Sequence, residues 1–380
     1  MSPASHFSRG IHGLPVELLA HIATFTDPSD LCMLRLTCRA MYQSSLRHFA
    51  KTCVHTLKTD LSPTSLARIE EAANDEAFRP YIRNLQIVGN SKASTEELPP
   101  RTTNEVHIQA WCNVLKRLVN CQSVELHYSA YTTTYSGGDG ITLDETTGLV
   151  LKAIATEHIP KEFFSLEIMK YRDRHLKDSL PQFPLTTLDI PAFSHLKELT
   201  LAIPDANTET INWMAKMIQG AKSLKKLAII FNWACKSTSL LSQISSVGCL
   251  PELQEVTFSR MTFGSSAALG IFLYNIRDSV RSLTFSTVQV EIGGWRSILR
   301  ELGGGMYQLD SLTLHRVMES EEFLSFRRIP EYALAEQSLD KRLYRPFSLC
   351  LFGRGDVSFS YSGPRFNQVM QKVVALAELS

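Results

Sequence analysis

The first apolar pattern along the chain is helical. Leu18, Ile22 and Phe25 recur at i, i+4 and i+7, one stripe of an amphipathic helix. Pro15 suits its first turn, where a missing N–H has no intrahelical partner to lose. Asp27-Pro28-Ser29-Asp30 reads as a second start, with Asp27 as N-cap, Pro28 at N1 and Asp30 near the positive end of the dipole. Leu31 and Leu34 sit three apart on that short helix. A third helix is predicted after Thr37, with Tyr42, Leu46 and Phe49 at the i, i+4, i+7 spacing. Three short helices in roughly forty residues then carry more large apolar side chains than so small a unit can bury. Units of about that size rarely stand without staples or a partner. Part of this surface is therefore expected to be covered by another protein.

Ser62-Pro63-Thr64-Ser65 is a further cap-then-proline start, predicting a helix to about Ala77 that Arg79-Pro80 ends. A strand follows at 82–87. Its spacing, apolar-x-x-apolar-x-apolar, returns at Cys121/Val124/Leu126, Phe163/Leu166/Ile168, Leu196/Leu199/Leu201 and Leu224/Leu227/Ile229. It continues at Leu253/Val256/Phe258, Val280/Leu283/Phe285 and Leu309/Leu312/Leu314. The steps between first positions are 39, 42, 33, 28, 29, 27 and 29 residues. Convergence on one length marks a repeating unit, and the longer early steps hold inserted loops. Helices fall between the strands. Trp111/Val114/Leu115/Leu118, Leu269/Phe272/Leu273/Ile276 and Trp295/Ile298/Leu299/Leu302 each run i, i+3, i+4, i+7, and Gly220 and Gly303-Gly304-Gly305 stand where helices should stop. A strand, a helix and a return in about 28 residues is one turn of an α/β solenoid, whose units bury their apolar faces only against neighbours. The rival reading makes these the strands of a doubly wound α/β domain. Polar stretches at 90–104, 129–148 and 171–191 are expected to be rim loops. Beyond Leu314 the pattern fades into strand-like alternation at 347–361 and a closing helix at 366–379, a non-repeat cap.

Composition narrows the classes. Hydrophobic residues make up 44% and charged residues 20% of 380, the balance of a globular chain, and the net charge of +1 gives no global field toward nucleic acid, membrane or acidic substrates. The first ten residues lack the apolar core of a signal peptide. The longest apolar run, Leu227 to Phe231, is far too short to cross a bilayer. Eight cysteines are scattered without a CxxC, and no N-x-Ser/Thr sequon occurs. That pattern fits a reducing, intracellular setting.

No catalytic constellation emerges. Gly137-Gly138-Asp139-Gly140 lacks the Lys-Ser/Thr of a phosphate loop, and Gly264-Ser265-Ser266 does not complete a nucleophile elbow. His48, Cys53 and His55 lack the tight paired spacing of a zinc site. Arg354-Gly355-Asp356 reads as a turn. Arg327, Arg328, Lys341, Arg342 and Arg345 form a basic strip with no aromatic ladder for nucleic acid. No cofactor, metal or catalytic residue is expected.

Leu14-Pro15-x-Glu17-Leu18-x-x-x-Ile22 and Asp30-Leu31-x-x-Leu34-Arg35-x-Thr37-Cys38-Arg39 resemble the two densest patches of the F-box, in order and spacing. Phe25 stands where a leucine is usual, and Tyr42 where tryptophan often stands. The strand spacing resembles the leucine-rich repeat, degenerately, since the family's asparagine appears only at Asn90 and Asn232. Together the chain resembles fungal-type F-box proteins with degenerate leucine-rich repeats. The implied fold is α/β: a flexible tail at 1–10, a three-helix F-box-like module at 11–52 and a helical linker at 53–81. An irregular leucine-rich-repeat solenoid at 82–317 and a C-terminal cap at 318–380 complete it.

The resemblance implies the substrate-recognition subunit of an SCF-type (Skp–cullin–F-box) ubiquitin ligase, a role without bond chemistry. A Skp-type adaptor, and a cullin through it, would bind at Leu14, Pro15, Leu18, Leu19, Ile22, Leu31, Leu34, Leu36 and Tyr42, with Arg35 reaching a rim polar group. The residues between and just after the repeat leucines would face a client protein: Glu125, His127, Glu167, Met169, Glu198, Thr200, Thr257, Thr284, Thr313 and His315. Nucleic acid and membrane are not expected partners. A non-ligase F-box scaffold and an enzyme on a doubly wound domain are the alternatives.

Overall fold

The computed structural model describes residues 11–60, 62–90, 104–129, 148, 150–151, 162–169, 193–203, 207–231, 238–245, 250–306, 308–319, 322–324, 358–362 and 370–371. The expected rim loops, the glycine-rich stretch at 137–140, Asn232, the basic strip, the Arg354-Gly355-Asp356 turn and most of the closing helix lie outside these residues.

Three helices open the chain: α1 (Val16–Thr24), α2 (Pro28–Arg35) and α3 (Arg39–Cys53). Pro15 directly precedes α1, one place earlier than its expected first turn. Asp27 holds the N-cap position of α2 with Pro28 at N1, but its side chain makes no capping bond. Cys38 caps α3, its Sγ accepting the Met41 N–H at 3.5 Å. Both α1 and α2 pack on α3. The interior between them is small: Leu19, Ala23, Leu31, Met41 and Ala50 are its buried apolar side chains.

The chain then enters a strand where a helical linker was expected. β1 (Thr56–Thr59) pairs in parallel with β2 (Asn84–Asn90), its register held by the His55 carbonyl, which accepts from both Arg83 and Asn84 N–H at 3.0 Å. Four residues with one large apolar side chain carry no period long enough to read. Helix α4 (Pro63–Asn74) starts as its sequence predicts, with the Ser62 hydroxyl accepting the Ser65 N–H at 3.2 Å, and ends at Asn74, three residues before the expected Ala77.

From β2 the sheet continues through β3 (Ser123–Ser129), β4 (Phe163–Met169), β5 (Glu198–Ile203), β6 (Lys226–Phe231), β7 (Glu255–Phe263) and β8 (Ser282–Val290). These strands lie side by side in chain order, every neighbouring pair parallel. A doubly wound sheet reverses its strand order partway; this one runs monotonically from β1 to β8. Beyond β8 it forks. The first half of β8 carries β9 (Ser311–His315), on which β12 (Ser358–Ser362) lies antiparallel. The last residues of β8 carry β10 (Met318–Glu319), which turns back into β11 (Glu322–Phe323).

Register stacks the apolar positions into rows. Leu85, Val124, Phe164, Leu199, Leu227, Val256, Leu283 and Leu312 form one, and Ile87, Leu126, Leu166, Leu201, Ile229, Phe258, Phe285 and Leu314 the next; all are buried. The β4 frame differs from the expected one by two residues. Phe164 and Leu166, not Leu166 and Ile168, pair with Val124 and Leu126. The run Phe163-Phe164-x-Leu166-x-Ile168 offers apolar side chains in both frames, and pairing selects one.

Helices α5 (Asn104–Arg117), α6 (Thr208–Gly220), α7 (Thr238–Ser245), α8 (Ser266–Ile276) and α9 (Gly294–Gly305) connect strands and pack neighbour on neighbour, α4 on α5 and α6 through α9 in sequence. The stripes at Trp111, Leu269 and Trp295 are buried throughout, as the 3.6-residue period predicts. One continuous core runs from Ile69 to Met370 and does not include the interior of the first three helices. Met370 closes it against Gly303 of α9.

The asparagine position of the repeats is filled differently in the last three units. Arg260, Thr287 and Arg316 take left-handed backbone angles (φ 56°, 57° and 53°) at matching places. Each inverts the in–out alternation, so Met261, Val288 and Val317, at the position where the leucine-rich repeat carries its asparagine, turn into the core.

Candidate functional site

Helical periodicity in α1 marks the outward face rather than the inward one. Leu18, Ile22 and Phe25 are 48%, 37% and 78% exposed, while Leu19 and Ala23 turn in. Thirteen large apolar side chains are exposed among the described residues, and nine of them fall between Ile11 and Tyr42. A water-facing concentration of this kind on so short a segment is the mark of an interaction surface.

The expected adaptor contacts divide. Leu14, Pro15, Leu18, Ile22, Leu36 and Tyr42 are exposed, and Leu34 is half-buried. Leu19, Leu31 and Arg35 are buried within the chain and shape the face from beneath. Val16, Phe25, Met33 and Ile11 also stand exposed and were not among the expected contacts. Phe25 lies on the stripe that pattern reading identifies; Val16 and Met33 sit off the stripes and carry no periodic signal.

Arg35 does not reach a rim. Its guanidinium lies over the rings of Phe49 at 3.8 Å, Tyr42 at 4.4 Å and Phe78 at 5.8 Å, and Nη1 has no hydrogen-bond partner. Planarity suits arginine to such stacking.

The open face of the sheet is polar. The Glu125 carboxylate accepts from Gln86 at 3.3 Å, and the two ring nitrogens of His127 lie 3.0 Å from Glu125 and 3.1 Å from Glu167. Both His127 contacts are hydrogen bonds when both ring nitrogens carry protons. Lys226 stands between Glu198 and Glu255 at 3.5 and 3.6 Å, and these carboxylates raise its pKa above the usual lysine value. Thr200, Ala228, Thr257, Thr284 and Thr313 line up across five strands. His315 ends β9 exposed; Met169 ends β4, its side chain outside the described set. Apart from Met169, the expected client-facing residues thus share one polar face of the sheet. His55 turns to Asn84 at 3.0 Å and Cys53 to Pro28 at 4.0 Å, so they serve different partners. Among the described residues no group of three His, Cys, Asp or Glu side chains is arranged to hold a metal ion, and no helix is long and apolar enough to cross a membrane.

These features define a docking class: a small helical module presenting apolar side chains, continued by its own third helix into a large, mostly parallel sheet. Comparison with known families agrees on the module, since residues 11–50 match the family model described as F-box-like. Modules of that family are typically non-catalytic and bind adaptors. No curated protein matches the chain.

Proposed function

We propose that the chain is the substrate-recognition subunit of an SCF-type ubiquitin ligase, working inside the cell, in cytoplasm or nucleus. The F-box-like module docks a Skp-type adaptor and, through it, a cullin. The sheet and its helices act as an irregular leucine-rich-repeat solenoid whose open face holds the client for ubiquitination and proteasomal degradation. The polypeptide's contribution is proximity, raising the effective concentration of a client lysine beside the charged conjugating enzyme.

The observation that carries this reading is the outward stripe Leu18–Ile22–Phe25 on a module with its own small interior. Covering one such side chain contributes about 1.5–3 kcal/mol. The test is co-expression with a Skp-type adaptor followed by pull-down. Leu18→Ala with Phe25→Ala should abolish the complex while moving stability by only about 0.5 kcal/mol each, the range for surface positions. Leu31→Ala, by contrast, should cost about 2–5 kcal/mol of stability. Undiminished complex from the first variant would sink the proposal. A cullin in the same pull-down separates a ligase subunit from a scaffold.

A further inference from the structure

Two thiols stand at the seam between α2 and α3. Cys53, the last residue of α3, brings its Sγ to 4.0 Å from the carbonyl oxygen of Pro28 at the start of α2. Cys32 stands one turn further along α2, and a helical side chain leans back over the turn before it. Both sulfurs therefore occupy the Pro28–Cys32 surface. Neither is in a disulfide; Cys32 is exposed and Cys53 half-buried. Burial, followed by the neighbouring Cys32, pushes the Cys53 thiol up, so Cys53 waits protonated behind a partner that solvent reaches first. The third cysteine of the module, Cys38, caps the opposite end of α3, about 20 Å away at 1.5 Å per residue.

We propose that Cys32 and Cys53 are a modification site: a reversible disulfide that staples α2 to the end of α3 when the chain meets a peroxide. The Cys32 sulfur, as thiolate, attacks one oxygen of hydrogen peroxide, the O–O bond breaks, and Cys32 sulfenic acid and one water result. The Cys53 sulfur then attacks the Cys32 sulfur. The S–S bond forms, the S–O bond breaks, and hydroxide leaves with the Cys53 proton as a second water. Two electrons pass from two thiols to one peroxide, and a small dithiol returns them by exchange. The bond closes the segment that carries Met33, Leu34 and Leu36, fixing that part of the open face in place. It does not depend on what covers that face.

Sequence makes the test direct. Cleavage after Lys51 and Lys58 puts Cys53 in the peptide Thr52–Lys58, and cleavage after Arg35 puts Cys32 in another. The full chain is treated with hydrogen peroxide under native conditions, its remaining thiols are blocked, and the digest is mapped by mass. The expected result is a Cys32–Cys53 cross-linked peptide pair that dithiothreitol separates, with Cys38 still blocked as a thiol. Cys32→Ser removes the pair. Cys53→Ser removes it too, leaving Cys32 as a sulfenic acid that dimedone traps. Cys53 blocked as a free thiol while Cys32 advances to sulfinic acid, or Cys32 joined to a different cysteine, would overturn the assignment.

Discussion

The guanidinium of Arg35 lies over Phe49, its Cζ 3.8 Å from the ring centroid, and the Phe49 ring in turn meets that of Phe78 at 6.1 Å. Arg35 ends α2, Phe49 belongs to α3, and Phe78 leads into the short turn before β2. One buried cation thus ties the open helical module to the edge of the sheet. Arg35→Lys should weaken this tie, because an ammonium is a point charge that cannot lie across two rings. A double-mutant cycle of Arg35→Lys with Phe49→Leu, read by urea unfolding, should return a coupling of about 1 kcal/mol. A coupling near zero would mean that the stack is mere proximity.

Thr287 tests the corner ladder. A β-branched residue at φ 57° sits in a region that L side chains occupy at a cost of about 1–2 kcal/mol. Thr287→Gly should therefore raise stability by roughly 1 kcal/mol, the relieved strain outweighing the added chain entropy. Ser286→Gly, one residue earlier on ordinary strand backbone, should lower it by about 0.5–1 kcal/mol. If both glycines destabilise equally, the left-handed corner carries no strain worth relieving.

The same corner shows where pattern reading stops. Leu283 and Phe285 announce an inward-facing strand, and the rows they join are legible because burial enforces a period of two. Nothing local announces that Thr287 will invert that period and send Val288 inward, since the left-handed turn is imposed by the strands on either side. In α1 the limit is of another kind. Leu18, Ile22 and Phe25 were correctly placed on one helical face, but periodicity does not say which of two apolar faces the chain covers for itself. Leu19 and Ala23 are the inward pair because α3 offers its small interior there. β1 escaped notice because Thr56-Leu57-Lys58-Thr59 owes its conformation to pairing with β2, and the β4 frame because its apolar doublet fits two registers.

Asp60 makes the start of α4 sensitive to acid. Its Oδ1 accepts the Ser62 N–H at 3.0 Å, the Ser62 hydroxyl at 2.7 Å and the Ser65 hydroxyl at 2.5 Å. Partial burial pushes the carboxyl up, but the hydrogen bonds from Ser65 and Ser62 together outweigh it and hold the carboxyl below its ordinary value. A carboxyl depressed in the folded chain binds fewer protons there than in the unfolded one, so its contribution is present above the unfolded value, about 3.9, and is lost as pH falls through the folded value. The group is solvent-exposed, so the contribution is about 0.5 kcal/mol. Asp60→Asn should accordingly lower stability at pH 7 by about that amount. The gap between variant and parent should close as the pH is taken from about 5 to below 3, since protonation then disarms the parent's carboxylate as well. Unfolding free energies measured across that range decide the matter: a gap that stays constant would assign the effect to lost packing at the α4 cap and not to the charge.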